Sequence, residues 1–129
     1  VKFLLDTNAV IAVMKGDPVF LDRMRQHRPE DFGLPTIVAH ELYFGAAKSQ
    51  RAAENLARVE ALRFPVLDLD REDARQAGLI RAQLAATGTP VGPYDVLIAG
   101  QALARGLTLV THNTREFQRV PGLHLEDWQ

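Results

Sequence analysis

Three acidic residues, Asp6, Glu41 and Asp95, each interrupt or border an apolar stretch of the chain. Carboxylates gathered at one point do a recognisable chemistry: they hold a divalent cation and activate water against a phosphodiester. Asp6 ends the apolar run Lys2–Asp6 (KFLLD), just before the turn-forming Thr7 and Asn8. Asp6 alone reads equally well as a helix cap, but Thr7 or Asn8 can cap the next helix and leave it free. Glu41 is more telling. At helical spacing its neighbours are Ile37 and Val38 on one side and Phe44 and Gly45 on the other, which points its carboxylate toward a packed face where an unpaired charge is costly. Asp95 lies in the first turn of the apolar helix YDVLIAGQALA. An acid there can simply complement the helix dipole, but the apolar residues that follow imply a buried helix whose entrance faces a cleft.

A second group follows the apolar run LTLVT: Thr111, His112, Asn113 and Glu116. Asn113 can cap a short helix or orient water, and His112, which could ligate a metal or act as a general base, reads better as a polar loop residue. His40 and Trp128 are expected in packing. Three carboxylates repel one another unless a cation lies between them. With no cysteine and no histidine cluster, an all-oxygen site suits Mg²⁺, with Mn²⁺ as substitute, over zinc.

Positioning these groups requires strands that end where the acids begin. Lys2–Asp6, a brief segment at Phe32–Leu34, Phe64–Leu69, Leu107–Thr111 and Leu123–Trp128 have strand character. Between them lie helical segments: Ala9–Met14; one capped by Asp17 with Pro18 at its first position; one from Pro35 to about Ser49; a polar one to about Leu62; Arg71–Ala86; and Tyr94–Arg105, closed by Gly106. In Arg71–Ala86 the residues Ala74, Ala77, Ile80 and Leu84 share a face. Strands alternating with helices imply an α/β fold, a central mainly parallel sheet flanked by helices in three layers. In such sheets ligands bind beyond the carboxyl ends of the strands, where Asp6 and Thr111 fall.

The composition sets outer bounds. One domain over residues 1–129 is expected, with 47% hydrophobic and 24% charged residues, the profile of a folded chain. No run is long enough for a membrane span, no signal peptide is expected before the opening strand, and the lack of cysteine fits a reducing cytoplasm. Net charge is −1, and twelve of the fifteen cations are arginine. Nucleic-acid binding is neither supported nor excluded by that balance; a metal ion would supply the positive field the chain lacks.

The stretches LLDTNAVIAVMKG, PTIVAHELYFGAAKS and GPYDVLIAGQALARGLTLVTHNTREFQRVPGLHLEDW resemble PIN-domain ribonucleases of the VapC toxin type, in order and spacing over nearly the whole chain. The resemblance implies a PIN fold, Mg²⁺- or Mn²⁺-dependent endoribonuclease activity on RNA, a cognate VapB-like antitoxin and a homodimer or larger toxin–antitoxin assembly. It places the family's first three acids on Asp6, Glu41 and Asp95, its first motif on Thr7 and Asn8, and its hydroxyl position on Thr111. The fourth acid of many PIN domains falls on the neutral Asn113, with Glu116 as the candidate replacement. Asp6 and Asp95 are then expected to coordinate metal, Glu41 to orient or deprotonate water, and Asn113 with Glu116 to complete the outer shell. The apolar surfaces of the helices from Pro18 and Pro35 are expected to form the antitoxin groove. Two rivals stand beside this reading. A phosphatase with a nucleophilic Asp6 would want an acid two residues on, where Asn8 stands; a PIN-like binding module would have lost catalysis.

Overall fold

A computed structural model describes all residues, Val1–Gln129. Five short strands, β1 (Phe3–Leu5), β2 (Phe32–Pro35), β3 (Val66–Leu67), β4 (Thr108–Val110) and β5 (Leu125–Glu126), form one sheet in the order β3-β2-β1-β4-β5. Every pairing is parallel. Parallel strands require crossovers, supplied by α1 (Thr7–Lys15), α2 (Pro18–Met24), α3 (Thr36–Ala47), α4 (Ala52–Glu60), α5 (Arg71–Ala86), α6 (Pro93–Arg105) and α7 (Thr114–Phe117). Strand order reverses at β1, so its carboxyl end and that of β4 flank the crevice where open α/β sheets bind ligands.

The centre of the sheet is dry because helices cover it. All of β1 and β2 is buried, as expected of parallel strands enclosed on both faces. Leu4, Leu5, Val10, Phe20, Val38, Ile98 and Leu109 are almost fully buried, each contributing about 1.5–3 kcal/mol of transfer free energy where the side chain is large. Trp128 closes one side, edge-on to Phe3 at 5.1 Å and stacked on His27 at 5.7 Å. Its indole N–H donates to Glu126 at 3.0 Å.

Several helix ends follow their local chemistry. Asp17 caps α2, accepting from the Val19 and Phe20 amides, and Pro18 opens it. Gly106 stops α6 at φ 64°, the left-handed conformation glycine adopts without steric penalty. Between α5 and α6 the backbones approach closely: a Cβ on Gly100 would meet Ala77 atoms at 2.6–2.7 Å.

The structure corrects some boundaries and faces. The third strand is only Val66–Leu67 and the last only Leu125–Glu126; each is preceded by one carbonyl that still accepts from the neighbouring strand, Pro65 from the Leu34 N–H and His124 from the Leu109 N–H. On α5 the buried set is Asp73, Ala77, Ile80 and Leu84; Ala74 is exposed, and an acid takes the place expected of it. Asp73 is tolerated there because Arg105 pairs with it at 2.8 Å. His40 is exposed, with its ring edge-on to Tyr94 at 5.1 Å, while Trp128 is in the core as expected.

Candidate active site

The site is built where β1 and β4 end. Asp6 follows β1 directly and is 5% exposed. It is the N-cap of α1: its Oδ1 accepts the Ala9 amide at 2.9 Å. The expectation that Thr7 or Asn8 would cap this helix is therefore wrong. Their own backbones are already helical, which denies them the extended cap conformation that Asp6 holds at φ −81°, ψ 175°. Capping does not remove Asp6 from the site. Thr111, following β4, donates its hydroxyl to the other oxygen, Oδ2, at 2.5 Å. One carboxylate thus ties the two central strand ends together across the crevice.

Burial pushes the Asp6 carboxyl up from its ordinary value; the hydrogen bonds from Thr111 and Ala9 oppose this, and the charges of Glu41 and Asp127 add to it. Asp127 was not anticipated. The available signal was its place: it follows β5 as Asp6 follows β1 and Thr111 follows β4. Its carboxylate pairs with His112 Nδ1 at 3.0 Å.

Glu41 enters from α3. The buried stripe of that helix is Val38, Leu42 and Ala46; Glu41 is half-buried on its flank, and Phe44 is 61% exposed. The expected packed face Ile37–Val38–Phe44–Gly45 is therefore rotated, and Glu41 reaches the crevice from the edge of the buried stripe. Beside it runs an apolar groove of about 180 Å³, lined by Ile11 and Met14 of α1, Leu42 and Ala46 of α3, and Val59 of α4. This groove draws on the helix from Pro35 but not on α2, the helix from Pro18. The Thr7 hydroxyl, on the same wall, is buried without a hydrogen-bond partner.

Asp95 occupies the third position of α6. Its carboxyl is pushed up to about 6, first by burial and then by the charges of Glu116, Glu41 and Asp6. Glu116 behaves oppositely. Hydrogen bonds from the Asn113 amide side chain, at 2.9 Å, and the Gly92 N–H, at 2.8 Å, hold it below the usual carboxylate range. Asn113 stands at the start of α7 without capping it through its side chain; its own N–H donates to Thr111 Oγ1 at 2.9 Å.

Asp6, Glu41, Asp95, Thr111, Asn113 and Glu116 thus come together at one crevice, while Thr7 lines the apolar groove beside Glu41. Asn8 is exposed and lines a neighbouring polar depression with Lys15 and His112. No three acidic or histidine side chains close on a common point to cage an ion unaided. The chemistry still suits a hard cation: the donors are all oxygen, Asp6 and Asp95 are driven toward protonation, and Thr7 holds an orphaned hydroxyl. An ion such as Mg²⁺ binds through one or two carboxylates and takes its remaining ligands from water and substrate.

The family model described as PIN domain matches residues 3–123. The chain is similar to the tRNA(fMet)-specific endonuclease VapC of Salmonella typhimurium, 46% identical over 129 residues and covering 98% of each chain. It is also similar to Ribonuclease VapC2 of Haemophilus influenzae, 39% identical over 130 residues with 98% of each covered. Among solved structures, DNA-bound VapBC from Salmonella typhimurium superposes with a TM-score of 0.94 at 46% identity, over 100% of this chain and 99% of that one. VapBC-1 from nontypeable Haemophilus influenzae gives 0.89 at 32%, over 99% and 98%.

Proposed function

This chain belongs to the PIN-domain family of VapC ribonucleases, and on that premise we propose that it is a divalent-metal-dependent endoribonuclease, the toxin of a type II toxin–antitoxin module. One observation carries the reading: Asp6 and Asp95, from different elements, are driven toward protonation by burial, and the charge of Glu41 adds to both. A folded protein keeps such repulsion where a cation offsets it.

Mg²⁺, or Mn²⁺ in its place, would be held by Asp6 and Asp95, with Glu41 alongside; bound there, it would lower the pKa of a water and offset charge developing on the phosphate. The chain's own groups do the rest. Glu41, half-buried at the rim, orients the attacking water or takes its proton. Thr111 fixes the Asp6 carboxylate, and Asn113 with Glu116 shapes the outer side of the crevice. Thr7, next in sequence to Asp6, keeps a buried hydroxyl without a partner, and Asn8 faces the neighbouring polar depression with Lys15 and His112. A divalent ion also eases the charge problem of a chain with net charge −1, since it offsets part of the carboxylate charge that would repel phosphate.

Relatives named tRNA(fMet)-specific endonucleases at 46% identity make initiator transfer RNA the first substrate to test. The apolar groove beside Glu41 has the character that receives an amphipathic helix, and we assign it to a VapB-like antitoxin; solved relatives are VapBC complexes. A homodimer and a cytoplasmic site of action complete the reading. No helix is long and apolar enough to cross a membrane.

Purified protein incubated with initiator transfer RNA in Mg²⁺ should cleave it at a defined position, and EDTA should stop the reaction. Asp6→Asn should fold and fail to cleave. Metal-independent cleavage, or turnover retained in Asp6→Asn, refutes the mechanism.

A further inference from the structure

An acid at the third position of a helix has a preferred alternative partner: its carboxylate folds back onto the N–H of the residue that precedes the helix. Besides Asp95, the two aspartates at that position in this chain both do so, whereas the glutamates there, Glu54 and Glu116, do not. Asp73, third in α5, accepts the Asp70 N–H at 3.0 Å. Asp31, at the same place in the single 3₁₀ turn Pro29–Asp31, accepts the Arg28 N–H at 3.1 Å. Asp95 is third in α6, whose preceding residue is Gly92, yet it does not take the Gly92 N–H. That N–H donates instead to Glu116 Oε1 at 2.8 Å, from a residue 24 positions away on α7. Asp95 remains within easy reach of the Gly92 backbone: a Cβ on Gly92 would lie 3.4 Å from Asp95 Oδ2.

We propose that Glu116 is a positioning residue: by occupying the Gly92 N–H it prevents Asp95 from folding back on its own helix and leaves that carboxylate in the cleft. Glu116 can do this because its second oxygen is held by Asn113 Nδ2 at 2.9 Å. The Asn113 N–H is held in turn by Thr111 Oγ1, whose hydroxyl donates to Asp6. A continuous polar chain therefore runs from Asp6 through Thr111, Asn113 and Glu116 to Gly92, the start of the helix that carries Asp95. The neutral side chain at Asn113 acquires a reason: an aspartate there has no N–H to give Glu116 and would repel it. The inference rests on the reading of Asp95 as a cleft acid, but its structural half can be tested without any RNA.

The decisive experiment is the crystal structure of the full-length Glu116→Ala variant, with kinetics on transfer RNA in Mg²⁺. Asp95 should rotate to within about 3 Å of the Gly92 nitrogen. The kcat should fall about 10²-fold, the scale of an ångström-level misplacement, with KM changed far less. Glu116→Leu, which fills more of the space and offers no acceptor, should behave alike and serves if Glu116→Ala does not fold. Glu116→Gln keeps an acceptor for the Gly92 N–H and should lose much less. Gly92→Pro removes the N–H itself at a φ of −53° that proline adopts, so Glu116→Ala/Gly92→Pro should regain at least about tenfold over Glu116→Ala. Asp95 remaining in the cleft of Glu116→Ala overturns the proposal. So does Glu116→Gln being as damaging as Glu116→Ala, because charge and not the hydrogen bond would then be what matters. If the wild-type protein cleaves no RNA, the functional reading fails while the movement of Asp95 still decides this one.

Discussion

Asp73 and Asp95 occupy the same position in two successive helices that pack against each other, and they live opposite lives. Asp73 is 0% exposed, and burial alone would raise its pKa. Hydrogen bonds from Arg105, the Asp70 N–H and Gln101 outweigh that and hold it below the ordinary carboxylate range. Asp95 has burial and three neighbouring negative charges, with nothing to answer them, and is pushed up to about 6. A structural acid is one whose partners are built into the fold. Asp95 has no such partner in the fold, which makes it a candidate for one that arrives from outside.

The largest expected effect lies on the second of the pair. Asp95→Asn preserves shape and removes the charge, so RNA cleavage should fall by at least about 10³-fold, the scale of several kcal/mol of lost transition-state stabilisation. The metal-free variant should melt higher than wild type, because repulsion with Glu116, Glu41 and Asp6 is relieved. A melting point that falls would erase the contrast with Asp73. The converse substitution, Asp73→Ala, leaves Arg105 and Gln101 without their carboxylate. Arg105 is 29% exposed and can turn partly to water, so the loss should be about 2–3 kcal/mol, below that for breaking a fully buried pair. Urea unfolding measures it, and cleavage at 25 °C should stay near wild type.

How much of this was legible in the sequence follows the same division. Asp6, Glu41 and Asp95 were legible because each breaks an apolar pattern at a strand end, a helix flank or a helix entrance. The alternating strands and helices were legible because hydrophobic period and turn residues agree. Asp73 was not: beside Ala74 and Ala77 it looks like an ordinary first-turn acid, and its partner Arg105 lies 32 residues away. The rotation of α3 was likewise hidden, since Ile37, Phe44 and Gly45 are apolar enough to make either face plausible as the packed one. The capping role of Asp6 is hidden because Thr7 and Asn8 can also cap in general, and whether they do depends on their backbone angles. Glu116 was singled out as a replacement acid, but its bond to Gly92 spans 24 residues, and no local pattern records it.

The pair should also separate by pH, with opposite signs. Asp95 binds its proton more tightly folded than unfolded, so its contribution to stability is fully present below about pH 4 and lost as pH rises through about 6. Asp73 has a lowered folded value, so its contribution is present above about pH 4 and lost as pH falls through that lowered value. Metal-free protein should therefore lose about 1–2 kcal/mol through Asp95 between pH 4 and 6, after allowance for its partial exposure. Mg²⁺ should restore stability, raising the melting point more at pH 7.5 than at pH 5. Calorimetry at the two pH values checks this; an equal gain at both would mean that the ion does not bind where Asp95 titrates.

Asp6 stands between the two extremes, and the smallest expected effect is the one that grades it. Like Asp73 it accepts hydrogen bonds, from Ala9 and Thr111; like Asp95 it meets only negative charge, from Glu41 and Asp127. Thr111→Val keeps the side-chain shape and withdraws the hydroxyl that donates to Asp6 and accepts the Asn113 N–H. Stability should fall by about 1 kcal/mol, the scale of a net hydrogen bond. Without that donor the Asp6 carboxyl moves further up, so half-maximal cleavage should require more Mg²⁺ at pH 6 than at pH 8, by a wider margin than in wild type. If Thr111→Val lowers stability but leaves the Mg²⁺ requirement untouched at both pH values, Asp6 belongs with Asp73: a cap joining two strand ends, with the chemistry resting on Glu41 and Asp95.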